Sequence, residues 1–67
     1  MSFDAVVVDF NEARGDGTLR DAAGREFSFH CVAITDGSRT VDSGARVIAR
    51  RSVGLVGRDE ATEVAKL

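Results

Sequence analysis

Thr18-Leu19-Arg20-Asp21-Ala22-Ala23-Gly24-Arg25-Glu26-Phe27-Ser28-Phe29-His30 is the stretch that decides the fold. From Glu26 to His30 polar and apolar residues alternate with a period of two, which places Phe27 and Phe29 on one face of a strand and Ser28 and His30 on the other. Upstream, Thr18-Leu19-Arg20 is a second short strand with Leu19 as its most apolar residue. Between the two, Asp21-Ala22-Ala23-Gly24 supplies a tight turn, with glycine where a positive φ is wanted. The stretch predicts a β-hairpin.

Working outward, Ala5 to Phe10 is rich in β-branched residues and ends at Asn11, a turn former, which predicts a strand before the hairpin. Gly15 and Gly17 flank Asp16, where missing side chains permit a sharp bend and close backbone approach at a barrel corner. A glycine-rich phosphate cradle needs a following helix N-terminus, and Thr18 to Asp21 offers none. On the other side, Cys31 to Ile34 is apolar but too short to classify. Thr35 to Gly44 is a polar loop with Gly37, Ser38, Ser43 and Gly44. Arg46 to Val53 predicts a fourth strand, followed by Gly54 and Gly57. Asp59 to Leu67 is a final strand or a helical segment, because Glu60, Val64 and Leu67 fall at helical spacing; isolated helices below about 12 residues are marginal in water, which favours the strand.

Five short strands with glycine turns fit a small all-β barrel, antiparallel throughout, since closure removes exposed edges. The expected core includes Val7, Leu19, Phe27 or Phe29, Ile34 and Val47. The 67 residues make one domain, 1–67, and a chain of that size buries only roughly 60% of its unfolded surface, so stability is expected to be marginal. Hydrophobic residues at 43% and charged residues at 30% argue against intrinsic disorder. Nine Lys and Arg against eleven Asp and Glu give a net charge of -2, so bulk charge draws the chain neither to nucleic acid nor to an anionic membrane. The lone Cys31 closes no internal disulfide, which points to a reducing cytoplasm. The longest apolar run, Ala5 to Val8, is far short of the ~20 residues of a membrane span, and the N-terminus lacks the regions of a signal peptide.

An ordered series of residues resembles the bacterial cold-shock domain, a five-stranded OB-fold that binds single-stranded RNA and DNA. The series is Val7, Phe10 and Asn11, Arg14, Gly15 and Gly17 before Leu19, Phe29 and His30, Ala33 and Ile34, Asp36 and Gly37, Gly44, Val47, and Gly54 with Gly57. It spans roughly Val6 to Val64. The resemblance implies a cytoplasmic protein that binds single-stranded RNA or DNA, with Phe10, Arg14 and His30 retained from the family's contact surface.

The departures fall on that same surface. The family's first motif reads Lys, Gly, Phe, Gly, Phe, where this chain has Arg14, Gly15, Asp16, Gly17 and Thr18. Its second reads Val, Phe, Val, His, Phe, where this chain has Phe27, Ser28, Phe29, His30 and Cys31. The family's strand-one Trp corresponds to Asp9 and its preceding Lys to Val8. Stacking on aromatic rings contributes ~1–3 kcal/mol per base in such domains, and carboxylates at these positions repel phosphate, so binding is expected to be weakened or altered.

Other chemistry finds little support. Adjacent strand residues face opposite ways, so His30 and Cys31 do not form a nucleophile and base pair, and one His with one Cys falls short of a structural zinc site. Asp9, Asp16 and Glu26 across neighbouring strands read more simply as a solvated face than as a catalytic set. No catalysis, cofactor, metal or small-molecule substrate is expected. Arg46, Arg50 and Arg51, with Arg58 and Arg39, form the only basic concentration; the plain reading is a charged strand edge, the alternative a salt-sensitive phosphate track. Val53, Leu55 and Val56 form a short apolar turn able to fold back or to face a protein partner. The second functional reading is therefore an OB-fold that has lost nucleic-acid binding and mediates a protein–protein interaction.

Overall fold

The computed structural model describes residues 2–53 and 59–67, except the side chain of Val53. The apolar turn through Leu55 and Val56, with Gly54, Gly57 and Arg58, lies outside the described residues. Among the described residues there are five strands, β1 Ser2–Asn11, β2 Asp16–Asp21, β3 Glu26–His30, β4 Arg46–Val53 and β5 Asp59–Lys66, and one 3-10 turn at Cys31–Ala33. They close into a barrel in the order β1-β2-β3-β5-β4.

The all-β barrel stands as expected from the sequence, with one correction: it is not antiparallel throughout. β1–β2, β2–β3, β1–β4 and β4–β5 are antiparallel, but β3 and β5 run parallel. The reason is parity, because directions cannot alternate all the way round a closed ring with an odd number of strands. The parallel seam is also short, comprising Ser28↔Glu60 and, beyond the strand ends, an Ile34↔Val64 bridge in which Thr35 N–H donates to the Val64 carbonyl at 2.9 Å.

The expected hairpin is β2–β3. Leu19 pairs with Phe27, and the Asp21 carboxylate accepts from the N–H groups of Ala23 and Arg25 at 3.0 and 2.9 Å while Gly24 takes φ 86°. Its inward residues meet those of the other strands in a core of Ala5, Val7, Leu19, Ile34, Val47 and Val64 around both Phe27 and Phe29. Phe3 and Phe10 pack against this core, Phe3 on Phe27 at a centroid distance of 4.6 Å and Phe10 on Phe29 at 5.8 Å. All four rings are thereby used in packing.

Two bulges break the simple alternation. Val7 pairs with Leu19 and Asp9 with Thr18, which leaves Val8 as the extra residue of β1. Ala5 and Val7 face the core before it and Phe10 after it, so Asp9 is turned to solvent. In β5 the pairing jumps from Ile48↔Ala65 to Arg50↔Thr62, with Glu63 at φ 49°. Ala61 and Val64 both reach the core three residues apart because of that extra residue. The segment is a strand, as favoured from the sequence; of the residues at helical spacing only Val64 is buried, while Glu60 and Leu67 are exposed.

Candidate nucleic-acid interface

The outward face of β1, β2 and β3 is the surface on which the sequence resemblance places contacts. Pairing assembles it in rows: Val6, Arg20 and Glu26; then Asp9, Thr18, Ser28 and Glu60; then Asn11, Asp16 and His30. The middle row continues onto β4 at Ser52, opposite Glu60. It contains hydroxyls and carboxylates and no aromatic ring.

Arg14 is positioned by the β1–β2 turn. Asn11 accepts the Arg14 N–H on its side-chain oxygen at 3.0 Å and the Gly15 N–H on its carbonyl at 2.8 Å. Gly15 takes φ 72°, and the Gly15 carbonyl accepts the Cys31 N–H at 2.7 Å, tying the turn to the end of β3 beside His30. A Cβ on Gly15 would stand 3.0 Å from the Cys31 sulfur, so a larger residue is strained by the positive φ and also crowds that sulfur. Because the left-handed glycine reverses the chain, Arg14 and Asp16 fall on one side of it. Arg14 Nε and Nη2 both donate to Asp16 Oδ1, at 3.2 and 3.1 Å.

Asp9, Arg14, Asp16, Ser28, His30 and Glu60 share an open groove of about 310 Å³. The structure therefore brings Arg14 and His30 together. Phe10 does not line this groove; its partly buried ring stacks on Phe29 across Gly17, at an interplanar angle of 19°. A Cβ on Gly17 would come within 2.5 Å of the Asp9 carbonyl and 2.9 Å of the Phe29 ring, so a glycine flanked by rings is the arrangement that fits. Asp9 and Asp16 do share a surface, as the sequence suggested. Glu26 does not join them: it lies a row away and takes the Arg20 guanidinium at 2.6 Å. Glu60 takes its place in the groove. Sequence reasoning missed Glu60 because only barrel closure sets β5 beside β3.

The basic residues of β4 do not form an edge, since β4 is paired on both sides. Arg50 meets Glu63 at 3.2 Å and Arg51 meets Asp59 at 2.8 Å. Among the described residues only Arg39 and Arg46 have no carboxylate partner. Among the described residues there is also no cluster of three or more metal-ligating side chains.

No protein-family model matches the sequence, and no curated protein does. Among solved structures, the whole of this chain matches a cold-shock domain in Drosophila Unr CSD456, with a TM-score of 0.81 at 22% sequence identity. The match covers 100% of this chain and 27% of that one, so the chain spans about a quarter of the structure it resembles. The fold is that of a cold-shock OB domain.

Proposed function

We propose that this domain is a cold-shock-type binding module that engages single-stranded RNA or DNA in the cytoplasm, weakly and without aromatic stacking. The observation that carries the reading is the convergence of Arg14 and His30 in one groove on a barrel that matches a cold-shock domain over its full length. A flat row of hydroxyls flanks them at Thr18 and Ser28, suited to hydrogen bonds with phosphate, ribose or base edges. Phe10 acts here by shaping the sheet beneath the groove, through its stack on Phe29. No catalytic step is assigned to the groove.

The test is fluorescence anisotropy of a labelled oligopyrimidine strand titrated with the protein at low and then physiological salt. Saturable binding that weakens steeply with salt and on His30→Ala supports the reading, since phosphate contacts release counterions. Absence of saturable binding at low salt overturns it. The groove carboxylates Asp9, Asp16 and Glu60 favour the second reading, a protein-interaction module, which a nuclease-resistant co-purifying partner would support.

A further inference from the structure

Among the described residues that line the groove, Arg14 supplies the one guanidinium, and it is already engaged. Both of its donors on the groove side converge on a single carboxylate oxygen, Asp16 Oδ1. This is the geometry in which a guanidinium grips a phosphate oxygen. Asp16 also stands opposite His30 in the β2–β3 register. One residue thus touches the first retained contact and faces the second. The Asn11 turn and the left-handed Gly15 set the backbone of both residues, while the side-chain pair itself lies at the surface, with Arg14 71% and Asp16 38% exposed.

We propose that Asp16 limits affinity by competing with nucleic-acid phosphate for Arg14. The inference rests on the nucleic-acid reading of the groove. A strand binding there must displace the Asp16 carboxylate from Arg14 and accept its repulsion as well, so the phosphate contact is absent from weak encounters. Asp9 and Glu60 supply the contrast: they add negative charge to the same groove and form no ion pair with a cation among the described residues.

The experiment is a double-mutant cycle read by anisotropy of a labelled oligopyrimidine, using wild type, Asp16→Asn, Asp9→Asn, Arg14→Gln and the Arg14→Gln, Asp16→Asn pair. Each is checked for folding by far-ultraviolet circular dichroism. Freeing Arg14 adds one phosphate contact, so Asp16→Asn is expected to steepen the dependence of log affinity on log salt by about 0.7, whereas Asp9→Asn raises affinity with a smaller change of slope. Arg14→Gln is expected to weaken wild-type binding, and to weaken binding by a larger factor in the Asp16→Asn background, where it abolishes the gain. Equal gains from Asp9→Asn and Asp16→Asn, or an equal loss from Arg14→Gln in both backgrounds, overturn the proposal. A second readout is independent of nucleic acid: the Arg14 Nε–H resonance is expected to exchange slowly with water in wild type and fast in Asp16→Asn. Fast exchange in wild type overturns the competition outright. Protected Arg14 with no binding by any variant sinks the nucleic-acid reading of the groove and, with it, the competition.

Discussion

Gly17 shows how much of this surface is governed by one missing side chain. It lies in the row Phe10, Gly17, Phe29, and the two rings meet over it. Gly17→Ala forces a Cβ against the Asp9 carbonyl and the Phe29 ring, both under 3.0 Å. Overpacking of this kind costs about 1–3 kcal/mol, and urea denaturation followed by circular dichroism is expected to show a loss in that range. The sequence marked Gly17 as a point of close approach from its neighbours alone. It did not mark Val8: three consecutive valines carry no sign of which is the bulge, and that choice decides that Asp9 faces water and Phe10 the core. A contact role for Phe10 was legible only through resemblance, and the stack on Phe29 depends on a bulge the sequence does not announce.

At the scale of elements, β5 repeats the lesson. Its apolar residues follow neither a strand nor a helix period, because Glu63 occupies a left-handed conformation that L residues adopt at a cost of roughly 1–2 kcal/mol. Glu63→Gly is expected to raise stability by up to about 1 kcal/mol, since the exposed Arg50–Glu63 pair that it removes contributes little. Glu63→Ile is expected to lower it, the same denaturation curves reading both. The loop between β3 and β4 carries a second local device. The Ser38 N–H and hydroxyl, then the Lys66 ammonium at 3.0 Å, hold the Asp36 carboxyl down from 3.8 to about 2. A folded-state value below the unfolded one means that the contribution is whole above the unfolded value and is lost as pH falls through the folded one. Between pH 3.8 and about 2, Asp36→Asn is therefore expected to flatten the decline of the melting temperature, and carboxyl titration by NMR is expected to return a value near 2 for Asp36 in the wild type.

For the whole molecule, the hairpin and strand sequence were legible because alternation and turn chemistry are local. The ring was not fully so. That β3 meets β5, and meets it in parallel, follows from closure, and it is closure that puts Glu60 in the groove with Asp16. The electrostatic character of the site is thus a property of the barrel and not of any one motif. Salt dependence measured on the intact domain is the matching test at this scale.

The parallel seam has a kinetic consequence. Laid flat, the strands run β3-β2-β1-β4-β5 with antiparallel neighbours throughout, a sheet that can assemble before its two outer strands meet. Joining β1 to β4 already spans a long stretch of chain, pairing Ser2–Val6 with Arg46–Arg50, which sets a slow, topology-limited rate. Sealing of β3 to β5 is then expected to follow the rate-limiting barrier. Ile34→Val, a trimmed side chain at the seam bridge to Val64, is accordingly expected to raise the unfolding arm of a chevron plot without changing its slope, while leaving the refolding arm in place. The odd strand count that gives the barrel its parallel seam is expected also to give it a latch that governs how long it stays shut.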